Sequence, residues 1–450
     1  MICRLRLPFV AVSLCLTASA LAGLSAPSLN SRSGATYTIY LDFAGFDFSN
    51  VTGADGTQGA WGYTGAKPGV VHAYDTDGDP LNFSADEVTA IKQTWAVVAQ
   101  AYVGFNVNVT TVDPAPSFGG YAGKQTYYDV SAHFMHTSIG GDYNWFGGAG
   151  GVSYVGTTQD GGNFSGAHTN WVFGNGTANW PPYMGTAAAH EDGHGLSLGH
   201  QHDENQGGEY TLGDYNGNNF RANGTYGATM GAAYYTQRGA WRIGDPSKGN
   251  GNDVAGLQSN RDMGPLLDDG LGHSITTASA LIVDNTGAVN AGAAQGWIMP
   301  LASTGYSAGS GVGDANAYTK DFFRFRAKGG LVTLTLNDGT EFLQTGIADP
   351  GATMRGVIRI LDGGGNLIGT SIEDASTLFA TYSGVLAAGD YYAEVDSYGA
   401  YISAYEPNSR YFNMGGYFLT GTGFAAVPEP ATCVALGFGV LALLKRKRLV

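Results

Sequence analysis

Residues 36–43, "TYTIYLDF", are dense in β-branched and aromatic side chains and predict an opening strand. The polar–apolar pattern then changes period. In "FSADEVTAIKQTWAVVAQAYVGF" the apolar positions Val88, Ile91, Trp95, Val98 and Tyr102 recur at spacings of three and four, one face of a helix. Ser84 followed three residues later by Glu87 is a capping box that starts it, and Gly104 marks its end. "FNVNVTTV" (105–112) returns to a period of two, with Phe105, Val107 and Val109 alternating against Asn106 and Asn108, as in a half-buried strand. "VSAHFMHTS" (130–138) and "GGVSYVGTT" (150–158) read as further strands. From about residue 268 the texture shifts to short runs such as "DFFRFRA", "LVTLTLN", "VIRILD" and "YYAEVDS", separated by Gly, Asp and Asn. Strands at that spacing, with almost no helical period, predict an antiparallel sandwich, and the boundary falls near Pro265–Asp269.

Composition narrows the class. At 450 residues the chain is too long for one ordinary core, and 43% hydrophobic content argues against wholesale disorder. The 71 glycines and only 13% charged residues suit a loop-rich, strand-rich exported protein. Acidic residues outnumber basic ones 37 to 22, and six of the basic residues (Arg4, Arg6, Lys445, Arg446, Lys447, Arg448) lie at the two ends. The remaining surface would repel a phosphate backbone, which excludes nucleic acid as the expected partner. The cysteines, Cys3, Cys15 and Cys433, are also terminal, so the body has no thiolate with which to hold a metal.

Both ends read as addresses. Arg4 and Arg6, the apolar run Leu7–Leu16 and the small-residue site Ala20-Leu21-Ala22 predict an export signal over residues 1–22. At the other end, Pro428-Glu429-Pro430 precedes an apolar run from Ala431 to Leu444 and then four basic residues. Fourteen residues make a helix of about 21 Å, short of the ~30 Å hydrocarbon core. This three-part order resembles the PEP-CTERM sorting tail (427–450), which implies transient inner-membrane contact and cutting by an exosortase. It also implies delivery to the cell surface or extracellular matrix of a Gram-negative bacterium. A permanent anchor is the alternative.

The chemistry concentrates in "AAAHEDGHGLSLGHQHDE" (187–204), which gathers four of the nine histidines. On a helix, His190 and His194 share one face a turn apart and can hold one tetrahedral ion. Glu191 is placed to take a proton from water on an open coordination position. His200 is the candidate third ligand, with Gly195 and Gly199 to loosen the backbone between; His202 is its understudy. His133 and His136, at odd separation on an expected strand, suit core or surface roles rather than ligation.

The spacing HExxHxxxxxH resembles the metzincin zinc endopeptidases, and "YGATMGAAYYTQRGAW" (226–241) resembles their Met-turn. The likeness is to secreted bacterial metzincin-like peptidases with PEP-CTERM tails, over residues 36–265. It implies an α+β domain, a mixed twisted sheet with an active-site helix and a backing helix, followed by the all-β sandwich. It further implies one catalytic Zn2+ on His190, His194 and His200, Glu191 as general base, and Met230 beneath the ion. "GGVSYVG", with Gly151, Val152, Ser153 and Tyr154, would be the edge strand that a peptide substrate pairs with. The chain departs from the family at Ser197, where the family has Gly, and at Ala232, where several members have Tyr; Tyr234 and Tyr235 are the nearest tyrosines. At Ser197 a left-handed turn would cost roughly 1–2 kcal/mol.

Two readings of "YDTDGDP" stay open: a structural Ca2+ site on Asp75, Asp77 and Asp79, or an acidic turn capping the following helix. Residues 268–424 resemble the bacterial pre-peptidase C-terminal (PPC) sandwich, an accessory of secreted peptidases. Its Tyr391, Tyr392, Tyr398 and Tyr401 suit core packing better than a binding face. The expectation is therefore an exported zinc endopeptidase acting on a peptide or protein. The alternative is a surface or matrix binding protein, weakly catalytic or not at all, on the same scaffold.

Overall fold

A computed structural model of the chain describes residues 24–48, 70–116, 120–159, 168–201, 226–231, 233, 238–242, 251–259, 263–299, 319–347, 352–374, 377, 379–397 and 414–425. The expected export signal and sorting tail, His202, Ala232, Tyr234, Tyr235, Tyr398 and Tyr401 lie outside the described residues. The architecture is α+β in the first half and β-rich in the second.

In chain order the first unit runs β1 (Tyr37–Asp42), β2 (Phe46–Asp47), β3 (Val70–Val71), α1 (Ala85–Ala101), β4 (Val107–Thr110), α2 (Gly120–Val130), β5 (Phe134–Ile139), β6 (Gly151–Val152), β7 (Thr169–Val172), α3 (Pro181–Gly195), β8 (Tyr226–Ala228), β9 (Arg238–Ala240) and α4 (Asp253–Ser259). Its main sheet has the order β4-β1-β5-β7-β6. Four strands are parallel, and the edge strand β6 is antiparallel to β7.

Helix α1 forms as its sequence dictates. Ser84 accepts from the Glu87 amide at 3.3 Å, while Glu87 Oε2 accepts from the Ser84 amide at 2.9 Å. Ile91, Trp95, Val98 and Tyr102 are buried on the expected stripe, packing with α3 against Ile39, Leu41, Val107 and Val109 of the sheet. The two helices approach closely because position 185 is glycine: a Cβ there would lie 2.5 Å from Val97 Cβ.

The other sheet face is polar and aromatic. Helix α2 replaces the start of the strand expected at 130–138, which begins only at Phe134, and His133 stands in the preceding turn at φ 57°. Its buried residues are Gln125, Tyr128 and Asp129, so no apolar stripe announces it. Gln125 Oε1 accepts from Thr169 Oγ1 at 3.0 Å, and Thr169 in turn meets His136 Nδ1 at 3.0 Å. His136 Nε2 reaches Asp42 Oδ2 at 3.2 Å, giving this histidine a core role. The strand expected over 150–158 shrinks to Gly151–Val152. Gly156 turns the chain at φ 78° and a 3-10 turn follows at Thr157–Gln159, so Ser153 and Tyr154 leave the edge.

The second unit contains β10 (Ser279–Ala280), β11 (Ala288–Val289), β12 (Gln295–Ile298), β13 (Lys320–Ala327), β14 (Gly330–Asp338), α5 (Phe342–Thr345), β15 (Gly356–Asp362), β16 (Leu367–Ile372), β17 (Ala380–Leu386), β18 (Gly389–Ser397) and β19 (Gly415–Thr422). One sheet has the order β10-β13-β18-β15-β16 and the other β11-β19-β14-β17, with β12 also on β19. Phe323, Ile358, Ile360 and Val395 from the first share one core with Val332, Leu334, Leu336 and Leu419 from the second. Tyr391 is buried there, stacked on Phe325.

The chain crosses from one unit to the other near residue 268, but the two are interlocked. Met299 and Met414 join the core of the first unit. Gln100 of α1 accepts from the Gly416 amide at 2.8 Å and donates to Glu341. Arg32 lies over the Trp297 ring at 4.9 Å.

Candidate metal centre

Helix α3 begins with Pro181 and Pro182, where the missing amide hydrogen costs nothing. It buries nearly every residue from Met184 to Gly195, so polar side chains along it must find partners inside the protein. His190 and His194 stand one turn apart, with ring centroids separated by 4.6 Å. The chain then bends back and brings the His200 ring to 4.6 Å from His194 and 5.2 Å from His190. Nitrogens of the three imidazoles lie within 4.8 Å of one another.

The bend is a Schellman motif. The Leu198 amide donates to Gly193 O at 2.9 Å and the Ser197 amide to His194 O at 2.8 Å, with Ser197 in the left-handed region at φ 72°. The expected loosening at Gly195 and Gly199 is therefore corrected: neither has positive φ. Gly195 is small because a Cβ would lie 2.6 Å from Met135 Cε, and a Cβ on Gly199 would touch nothing. Ser197 makes the turn itself, in the conformation that glycine adopts without strain.

Which nitrogen each imidazole presents is decided by carbonyls. His190 Nδ1 donates to Thr229 O at 2.7 Å and His194 Nδ1 donates to Leu198 O at 2.8 Å, leaving both Nε2 lone pairs free to point inward. His194 Nε2 and His200 Nε2 approach to 3.0 Å. Nitrogens on a tetrahedral ion at 2.0–2.1 Å stand about 3.3 Å apart, so this pair matches a shared ion to within a few tenths of an ångström. Burial, then the neighbouring imidazole, pushes His190 down to about 3; burial pushes His194 down to about 4. Both are neutral near pH 7, the state a ligand needs. The donor set and its outer hydrogen bonds fit a single divalent ion such as zinc.

Glu191 is buried beside them, and burial followed by the adjacent Asp192 raises its pKa well above the usual carboxylate range. The edge strand runs directly against it: a Cβ on Gly151 would fall 2.7 Å from Glu191 Oε1. Asp192 faces the sheet, where its Oδ1 accepts from Thr137 Oγ1 at 2.7 Å and Asn170 Nδ2 at 2.9 Å. Burial raises Asp192 to about 7.

Met230 is fully buried, its Sδ 2.5 Å from where a Gly193 Cβ would stand, so it packs directly beneath the helix that carries the histidines. Its carbonyl accepts from the Gln201 amide at 2.7 Å. The Gln201 side chain donates to Asp253 Oδ1 at 2.7 Å and Gly251 O at 3.0 Å. The residue after His200 is thus pinned to α4, some fifty positions downstream. Gln201, Asp253 and Asp192 carried no spacing signal in the sequence; only their positions beside the histidine motif and in "GNDVAGLQ" could have drawn attention to them.

At the acidic turn, Asp75, Asp77 and Asp79 each accept from backbone amides two or three residues on. The trio expected for calcium is not the one that converges: Glu87 takes the place of Asp79 beside Asp75 and Asp77. Glu87, part of the α1 capping box, also holds the Thr76 amide at 2.6 Å; the three aspartates bond amides within 77–81, and the N-cap of α1 is Ser84 rather than a residue of the acidic turn.

No family model matches the chain, and no curated protein matches it. Among solved structures it is similar to the Aeromonas hydrophila PliG crystal structure, a periplasmic lysozyme inhibitor of g-type lysozyme. That similarity is 15% in sequence, over 32% of this chain and 95% of PliG, with a TM-score of 0.18, too low to carry an argument.

Proposed function

We propose that the protein is an exported zinc-dependent endopeptidase of metzincin type, with the β-rich unit as a PPC-like accessory. The observation that carries the reading is the convergence of His190, His194 and His200, with Glu191 next to His190 on the same helix and packed against the edge strand β6. His190, His194 and His200 would hold the ion. When bound, zinc acidifies a water molecule to near neutrality and polarises a carbonyl.

The chain's own residues supply the rest. Thr229 O and Leu198 O keep two imidazoles in the ligating tautomer. Glu191 would take the water proton and pass it to the departing amine. Gly151 and Val152 would offer backbone groups on the side of β6 away from β7, where an extended peptide adds as a strand with its scissile bond near Glu191. The binding-scaffold alternative drew on Ser197 in place of glycine, yet the turn forms with Ser197 in the left-handed region.

The test is elemental analysis of the purified chain together with casein hydrolysis by wild type and Glu191→Gln. One zinc per chain in both, with hydrolysis lost in Glu191→Gln, is the expected result. A zinc-loaded wild type inert on diverse peptide libraries would overturn the peptidase reading.

A further inference from the structure

Arg238 sits on β9 in the first unit, yet its side chain is fully buried in the second. Its Nη1 donates to Met354 O at 2.7 Å; its Nη2 lies 2.9 Å from Glu373 Oε2 and 3.4 Å from Asp338 Oδ2. Arg355 Nε stands 3.5 Å from the other Glu373 oxygen. A guanidinium is seldom taken out of water so completely unless it is paired, and here Glu373 and Asp338 supply the pairing.

What it fixes can be followed bond by bond. Strand β9 pairs in parallel with β8, Ala240 opposite Ala228. Ala240 O accepts from the Thr229 amide at 2.8 Å, and Thr229 O accepts from His190 Nδ1 at 2.7 Å. Gly239 presses on α3 so closely that a Cβ would stand 3.0 Å from Thr186 Cγ2. The next residue along, Met230, lies under Gly193. From two carboxylates of the β-rich unit to a metal-facing histidine the path thus runs through the ion pairs of Arg238, the β8–β9 pairing and two hydrogen bonds.

We infer that the β-rich unit is a buttress of the metal centre and that Arg238 is the positioning residue through which it acts, holding Thr229 O where it orients His190. The inference rests on the zinc reading above. It assigns the second unit a part in the site itself, in addition to any role in secretion or attachment. Because outer partners of metal-bound histidines typically contribute 10–100-fold to affinity, loss of the tie should weaken zinc binding by about tenfold.

The test uses the full chain. Zinc affinity is measured by chelator competition in wild type, Arg238→Met, Arg238→Lys and a triple variant, Arg238→Met with Asp338→Asn and Glu373→Gln, in which no carboxylate is left buried against another. The expected result is about tenfold weaker binding in Arg238→Met and in the triple variant, with part of the loss recovered in Arg238→Lys. A folded Arg238→Met or triple variant that binds zinc as tightly as wild type overturns the tie. Should both fail to fold, hydrogen exchange on the unmodified chain decides. Linkage requires zinc to slow exchange at 238–240, in β14, which ends at Asp338, and at Glu373, just past the end of β16, and no change there overturns it. Wild type that takes up no zinc sinks the metal reading and the buttress with it, whereas zinc-binding wild type with an indifferent Arg238 sinks the buttress alone.

Discussion

Replacing Gly151 with alanine tests the contact between the sheet edge and the general base. The added Cβ would lie 2.7 Å from both Cγ and Oε1 of Glu191 and 2.6 Å from Trp171 O, where ordinary contact begins near 3.4 Å. Something must move by about 0.7 Å. Moving the Glu191 carboxylate relieves only its own clash, and the 2.6 Å approach to the Trp171 carbonyl, backbone of β7, displaces β6 as well, so both the base and the edge strand shift. A misplacement of about 1 Å at a reacting group costs on the order of 100-fold, so Gly151→Ala should lower kcat/KM on a quenched-fluorescence peptide by roughly 10- to 100-fold. Crowding of this kind costs about 1–3 kcal/mol of stability, which denaturant unfolding would register. Zinc content should stay at the wild-type value, because the nearest neighbours of the new methyl group are Glu191 and Trp171 rather than a histidine ligand. A Gly151→Ala protein that keeps its zinc and hydrolyses within twofold of wild type would refute the placement of Glu191 against β6.

Three other substitutions probe the surroundings. Ser197→Gly should stabilise the chain by about 0.5–1 kcal/mol in urea unfolding, the relief of a left-handed Ser less the extra flexibility of Gly; an unchanged or lower midpoint would contradict the strain. Asp192→Leu strands Thr137 and Asn170 as buried donors and should cost roughly 2–5 kcal/mol, while Asp192→Asn, which keeps an accepting oxygen, should cost far less. Equal losses in the two variants would show that the hydrogen bonds are not what matters. His273 is held by Asp321 and Asp268, and those carboxylates outweigh burial to raise it from 6.5 to about 9. A raised histidine stabilises fully below its unfolded value and loses that contribution as pH climbs through the folded one. The melting-temperature gap between wild type and His273→Asn should therefore be largest near pH 6 and shrink by pH 9.5, and a gap independent of pH would refute the ion pair.

Local order was legible in this chain wherever the signal is local. The capping box at Ser84 and Glu87, the stripe from Ile91 to Tyr102 and the four-residue interval from His190 to His194 all follow from the pitch of a helix, which any short stretch carries in itself. The alternation in 330–338 likewise announces a strand with Val332, Leu334 and Leu336 turned inward. What a buried polar group pairs with is a different matter, because its partner is chosen by whichever distant segment the fold brings alongside. Gln125 and Asp129 made α2 look like no helix at all, since they are buried through a bond to each other and one from Gln125 to Thr169 on another strand. The strand through 150–158 stopped at Val152 because a glycine at positive φ and the facing helix, not its own composition, end the pairing. Histidine spacing in the sequence proposed which rings could meet. The tautomer of His190, the floor under Gly193 and the buried grip on Arg238 were set by contacts across 37 to 135 positions of chain, and only the tertiary structure decides those.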